Sequence, residues 1–406
     1  MRMTTAQTSV WKLESTNAPL PPMAPGVPLL GNTWQMRLDP LQYMLRMHRQ
    51  FGPAFRVKML SRTFTVLAGL DANKFLQQHG EQFLGSEDLF GEFGRELGSD
   101  KFLVAMDGEG HKHQRRIQQR GYSRGALAPH IPKVVEIVRS LARDLQTPKP
   151  LLPSLQRMVA EQMAVLTTGI PPGENYEDIW TVLNVNLKST VLKMYPRAAL
   201  WMPSYRRAKR GVTAFGQRVL DWHRANPPGE KRVAGLLDDL IAAKDENGLP
   251  YSEGALRAAA VGPYFAGIDT VASTVAFMMY ALLRDPKLTA RATAEADELF
   301  SKGEVTMDDL KGARFLQNCV LETLRRYPVA PFTPRMATKP FEFAGCSIPV
   351  GERVLVANSL PHHMEEYYPD TNKFDPDRYE GGRKVATSGA FAPYSVGAHA
   401  CLGAGL

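Results

Sequence analysis

The 406-residue chain has only three cysteines, Cys319, Cys346 and Cys401, odd in number and far apart. That excludes a disulfide framework and points to a reducing compartment. The first residues, MRMTTAQTSVWKLESTNAPLPP, lack the apolar segment of a secretory signal, and no stretch reads as long enough to span a bilayer. A cytoplasmic protein without a membrane anchor is expected. Lys and Arg number 49 against 41 Asp and Glu, a net charge of +8, but the basic residues form no long run and no aromatic-interleaved patch. Nucleic acid is therefore excluded as the partner, leaving a basic surface that attracts acidic proteins or is merely solvated. No glycine-rich flavin or nicotinamide fingerprint occurs either. What is present, 44% hydrophobic and 22% charged residues, is the composition of a globular chain with a sizeable core.

The most informative stretch is Ala390-Phe391-Ala392-Pro393-Tyr394-Ser395-Val396-Gly397-Ala398-His399-Ala400-Cys401-Leu402-Gly403. A single cysteine sits between glycines four residues before and two after it, which permit a tight turn and close approach of backbone to a flat ligand. A thiolate acting as sole protein ligand needs backbone N–H groups to spread its charge. Zinc wants four ligands, and no second cysteine or histidine pair lies at zinc spacing. Haem iron needs only one or two. The loop alone leaves two readings open, a haem ligand or an ordinary small buried cysteine.

Taken in order, residues 18–32 are proline-dense and form a stiff extended leader. An amphipathic helix is predicted over 40–51 and a hairpin over 54–59 and 63–68, where apolar residues alternate. Residues 85–108 are glycine-studded and read as a long irregular loop, with Phe90, Phe93 and Phe102 either lining a ligand or anchoring the loop to the core. His111 and Arg115 share one helical face, and His113 reads as a solvated position. Helices follow from 127 to 247, broken at 148–150, 171–173 and 227–229. The apolar tip Leu200-Trp201-Met202, beside Arg206, Arg207, Lys209 and Arg210, is either an access lip or a packed loop.

Residues 254–284 are apolar nearly all round and predict a helix buried in the fold. Pro263, Ala266, Gly267, Thr270 and Thr274 fall on one stripe of small and hydroxyl residues, which leaves room for a flat ligand. Asp269, buried beside them, needs a job or an ion-pair partner. Further on, Glu322 and Arg325 lie at i and i+3 of a helix that stops at Pro328. His362 and His363 read as turn residues and Cys346 as a strand residue.

Tyr394, Gly397, His399, Cys401 and Gly403 resemble the haem-binding signature of the cytochrome P450 family, with Tyr394 where Phe is usual and Ser395 where glycine is usual. Ala266-Gly267-Ile268-Asp269-Thr270 is similar to the family's oxygen-activation motif. Glu322 and Arg325, with Arg378 in FDPDRY, are similar to its Glu-x-x-Arg pair and third partner, and His111 with Arg115 to its propionate contact. The order of these four signals along the chain identifies it as a member, of the soluble bacterial type.

The resemblance implies a mainly α fold with small β-sheets, the cytochrome P450 fold: a single triangular, α-rich domain over 36–406 behind a proline-rich leader, 1–35. Because the family continues past the position of Leu406, it also implies truncation, with a C-terminal helix and β-hairpin missing. It implies haem b with Cys401 as iron ligand, the propionates on His111, Arg115 and Arg335, and Gly267, Tyr394, Gly397 and His399 around the cofactor. Thr270 is expected to hydrogen-bond dioxygen and Asp269 to feed protons, while Glu322, Arg325 and Arg378 are structural. Phe90, Phe93, Phe102, Ala266, Val329, Ala330 and Phe332 are the expected substrate wall. The implied activity is hydroxylation of a lipophilic small molecule such as a fatty acid, terpenoid, retinoid or steroid. Dioxygen is the co-substrate, and electrons come from an acidic ferredoxin or flavodoxin with its reductase, docking on Lys112, Arg116 and Arg120 of a monomer. A peroxygenase or isomerase, and a non-catalytic haem-binding fragment, are the alternatives.

Overall fold

The alternating run at 54–59 and its continuation form antiparallel strands, and the register pairs Ala54 with Leu67 and Met59 with Arg62. In chain order the strands are β1 Trp11–Lys12, β2 Ala54–Met59, β3 Arg62–Ala68, β4 Leu84–Gly85, β5 Thr333–Ala337, β6 Phe341–Phe343, β7 Cys346–Ile348 and β8 Arg353–Ala357. This computed structural model describes residues 10–14, 17–229, 232–301, 303–382 and 389–405. Contacts divide the chain into two units, each discontinuous: Met1–Ser86 with Ala330–Lys373 and Lys384–Cys401, and Glu87–Val329 with Phe374–Arg383 and Leu402–Leu406.

The first unit holds both sheets, a five-stranded one in the order β2-β3-β8-β5-β4 and a three-stranded one in the order β1-β6-β7. Aromatic packing fastens the three-stranded sheet to the Leu70–Phe83 helix: Phe75 stacks on Phe341 at 4.7 Å and meets Phe343 edge-on. The proline-rich stretch is tied to the sheet by main-chain bonds, with the N–H of Ala24 donating to Arg56 O and that of Arg56 to Pro22 O. Gly31 has φ +59°, and a Cβ there would lie 2.2 Å from the Lys58 carbonyl oxygen, so glycine is required. The Pro40–Phe51 helix forms where predicted, capped by Asp39, which accepts from the Gln42 N–H.

The second unit is helical and built around the 31-residue helix Glu253–Leu283, capped by Ser252. One side of it is buried, Tyr264, Ile268 and Ala272 lying in one cluster with Val159, Ile179, Phe215 and Leu220, but Phe277, Tyr280 and Leu283 are exposed, so the expectation of a helix buried nearly all round is corrected. By length and composition this helix could cross a bilayer, so the expectation that no stretch reaches that length is corrected. The expected irregular loop at 85–108 is also corrected, because ten of its residues form the helix Glu87–Glu96. Gly94 serves packing, since a Cβ there would come within 3.0 Å of Phe102 Cβ, whereas Gly98 and Gly108 take positive φ outside the helix. Between this helix and the next, Lys101 Nζ lies 2.7 Å from both Asp245 and Glu246.

Glu322 is fully buried and collects five donors. Arg325 contributes Nε and Nη2 at 2.8 Å, the Asp375 N–H comes at 2.9 Å, Arg378 Nε at 3.2 Å and the Tyr379 hydroxyl at 3.3 Å. Carboxylate and guanidinium are each desolvated, so neither is tolerable without the other. Replacing Glu322 by Ala is expected to cost about 3–5 kcal/mol, read as a lowered unfolding midpoint; a melt unchanged from wild type would refute this.

The Lys101 ammonium, with the N–H groups of Leu249 and Asn247, holds the Asp245 carboxyl down at about 2. A carboxyl depressed on folding stabilises above its ordinary value near ~3.9 and loses that contribution as pH falls towards about 2. Unfolding midpoints of wild type and Asp245→Asn are therefore expected to converge across that window. Parallel curves would count against the Lys101 contact as the cause.

Candidate functional site

In the first unit, the stretch leading to Cys401 has no strand or helix to satisfy its backbone. Buried side chains do so instead. Asn73 Nδ2 donates to Gly389 O at 2.8 Å, Asn358 Nδ2 to Ala392 O at 3.0 Å, and the Ala392 N–H to His362 Nε2 at 2.9 Å. Accepting at Nε2 places the His362 proton on Nδ1. Thr333 Oγ1 joins the group, donating to Asn358 Oδ1 and lying 3.0 Å from Ser395 Oγ. Sequence reasoning missed Asn73, Thr333 and Asn358, because a buried polar residue leaves no periodic signal. It took His362 and His363 for turn residues. They do form a short 3-10 turn, but both are buried.

Ser395 has φ +59°, in the left-handed region where glycine is the comfortable residue. The departure from the family pattern thus places a Cβ in a strained conformation, with the Thr333 contact beside it. Gly397 has φ +81°, and a Cβ would lie 2.8 Å from Leu76 O. The turn then closes with the Ala400 N–H donating to Gly397 O at 3.1 Å and the Cys401 N–H to Tyr394 O at 2.9 Å. Cys401 emerges exposed, which removes the reading of an ordinary buried cysteine, whereas Cys319 is buried and its thiol is pushed up to about 12 by that burial. Burial, then the neighbouring Cys401, raises the Tyr394 hydroxyl above its ordinary value. His399 is partly buried two residues before the cysteine. Arg335 is buried on β5 and donates to Pro334 O, and Phe332 packs against the cluster around Met44 while Ala330 is exposed.

In the second unit, the expected stripe on the long helix divides. Ala266 and Thr270, four residues apart, are exposed on this otherwise apolar helix. Gly267 is turned about 100° from Ala266 and buried. A Cβ on Gly267 would sit 2.7 Å from Met163 Sδ, so its missing side chain makes room for the neighbouring helix, not for a flat ligand. Thr270 Oγ1 donates to Ala266 O at 2.6 Å, and Thr274 Oγ1 to Thr270 O at 2.9 Å. Asp269 takes no ion pair among the described residues. Its partner is a neutral amide, Gln156 Nε2, at 3.0 Å, another residue absent from every motif.

His111 is buried and Arg115 half-buried on the helix Gly108–Gln119. His113 Nε2 lies 2.7 Å from Lys244 O, so it has a specific partner where a solvated position was expected. Lys112 pairs with Glu109 at 2.9 Å, while Arg116 and Arg120 are exposed. Phe93 is buried, 5.6 Å from the Phe102 ring and 6.1 Å from Phe265. Phe90 and Val329 are half-buried. The tip at 200–202 is mixed, with Leu200 buried and Trp201 75% exposed.

One exposed thiol on a braced loop therefore stands in a mainly helical fold with small sheets. The chain belongs to the cytochrome P450 family, whose profile matches residues 21–406, and is a P450 monooxygenase. It is 28% identical to the cyclooctat-9-en-7-ol 5-monooxygenase of Streptomyces melanosporofaciens over 94% of this chain and 84% of that one. It is 25% identical to the sterol 14alpha-demethylase of Mycolicibacterium vanbaalenii over 92% and 84%. Among solved structures it superposes on retinoic acid-bound cyanobacterial CYP120A1 with a TM-score of 0.80 and 25% identity, over 95% of this chain and 88% of that one. These matches give no support to the expected truncation.

Gly397→Ala is expected to displace the loop, because the added Cβ must move away from Leu76 O. Strain of this kind costs about 1–3 kcal/mol. A lower unfolding midpoint and faster labelling of Cys401 by a maleimide are the expected results; unchanged values of both would contradict the bracing.

Proposed function

We propose that this protein hydroxylates a lipophilic small molecule, using haem b whose iron the Cys401 thiolate would hold. The Cys401 loop carries the reading. Among the described residues no cluster of His, Cys, Asp or Glu could hold a metal ion by itself. An iron already held by a porphyrin needs only one protein sulfur, and the loop offers one exposed sulfur on a fixed backbone. The donor set fits haem and does not fit a protein-only metal centre.

Bound haem supplies the centre at which dioxygen is activated. The overall reaction joins a substrate C–H bond, dioxygen, two electrons and two protons to give an alcohol and water. Of this chain's residues, Thr270 offers a hydroxyl on the exposed stripe of the long helix, with its oxygen available to accept while its hydrogen engages Ala266 O. Asp269, with Oδ1 held by Gln156, is the proton carrier one position before it. Arg335, His111 and Arg115 supply cationic or hydrogen-bonding partners for the propionates. Electrons come from a separate acidic ferredoxin or flavodoxin with its reductase, to which the exposed Arg116 and Arg120 are complementary. The protein works in the cytoplasm as a monomer.

The relatives support a lipophilic substrate. One is named for a cyclooctatenol and another for a sterol, and the solved structure holds retinoic acid. Phe90, Phe93, Phe102, Ala266 and Val329 are the apolar side chains assigned to it here, with Ala330 and Phe332.

The test is the carbon monoxide difference spectrum of the reduced protein, for wild type and Cys401→Ala. A red-shifted Soret band present in the first and lost in the second is expected. Haem bound without that band in the wild type would overturn thiolate ligation.

A further inference from the structure

The aspartate of the long helix is held by a residue that belongs to none of the motifs. Gln156, on the helix Leu151–Met163, is 6% exposed, and the side-chain hydrogen bond it makes is the one from Nε2 to Asp269 Oδ1. Among the described residues Asp269 has no other hydrogen bond, so Oδ2 is unengaged. The two helices come close because Gly267 has no side chain where Met163 lies, and Met163 and Gln156 are seven residues apart on one face of their helix.

The chemistry of the partner matters. An ammonium or guanidinium beside Asp269 would hold it ionised, whereas an uncharged N–H donates to a carboxylate and to the carbonyl oxygen of a protonated carboxyl alike. The group can gain and lose a proton without losing its orientation. Other polar groups near the carboxylate lie on neighbouring elements. Tyr176, which begins the helix Tyr176–Asn186, has its hydroxyl raised by burial, with a smaller contribution from Asp269. Arg157 lies over the Tyr176 ring at 4.5 Å and pairs with Glu177, so its charge is already engaged.

We propose that Gln156 is the positioning residue for proton delivery in this enzyme, fixing Oδ1 of Asp269 so that Oδ2 is the oxygen that takes and releases the proton. This rests on the reading of Asp269 as proton carrier.

The experiment uses the holoenzyme and three variants, Gln156→Met, Gln156→Lys and Asp269→Asn. Infrared titration follows the protonated-carboxyl stretch that Asp269→Asn abolishes. Oxygen consumption, with a plant-type ferredoxin, its reductase and retinoic acid as probe, is measured in light and heavy water. Gln156→Met removes the donor at nearly constant volume and is expected to shift the frequency of that stretch, because the hydrogen bond to Oδ1 is lost. The solvent isotope effect is expected to rise in Gln156→Met. A stretch and an isotope effect both at the wild-type values in Gln156→Met, with Asp269→Asn still raising the isotope effect, would overturn the role of Gln156 alone. An isotope effect unchanged in Asp269→Asn would remove the proton-carrier reading and this inference with it. If Gln156→Met does not fold, Gln156→Lys carries the test: an ammonium at that position is expected to hold Asp269 ionised, so that its protonated-carboxyl stretch is lost, and an unchanged stretch would overturn the role of Gln156.

Discussion

Presenting one sulfur at the surface of a protein requires an irregular backbone held still, and irregular backbone has no ladder to satisfy its own N–H and C=O groups. Much of the first unit can be understood from this constraint. Asn73, Thr333, Asn358 and His362 are polar residues in places that hydrophobic side chains would otherwise fill, and each is spent on the segment before Cys401 or on another member of the group. They come from a helix, a strand, the turn after β8 and a 3-10 turn. The sheet and its flanking helix therefore act as the frame from which the loop hangs, and their aromatic packing around Phe75 keeps that frame rigid.

The second unit solves a different problem. A helix that is apolar all round must carry an aspartate and a hydroxyl without losing its burial. It does so by turning Gly267 and Ile268 inward and Ala266 and Thr270 outward, with Asp269 between the two directions and met by an uncharged amide. A charged partner would have been the stronger contact in low dielectric, yet it would have fixed one protonation state.

Which of these features could be read in the sequence follows from their range. The long helix, the Pro40–Phe51 helix, the β2–β3 hairpin and the family motifs are local, set by periodicity or by fixed spacing over a few residues. Even there, orientation was harder to read than placement. Spacing alone put Gly267 on the same stripe as Ala266 and Thr270, whereas only the position of Met163 shows which way it faces. The stretch 85–108 misled because glycine was taken as a sign of irregular chain, when Gly94 is there to let Phe102 approach within a helix. Asn73 and Asn358 lie 285 residues apart and Gln156 and Asp269 are separated by 113, and one sequence carries no mark of such pairings.

The five donors gathered on Glu322 have an evolutionary consequence. Glu322 and Arg325 cannot be exchanged one at a time without leaving the other's charge buried and poorly paired. Neutral drift at these positions is blocked one step at a time. Lineages can leave the arrangement only by changing several residues together, so the carboxylate and its guanidinium partners form a historical lock on the fold, while the surface around it is free to diverge.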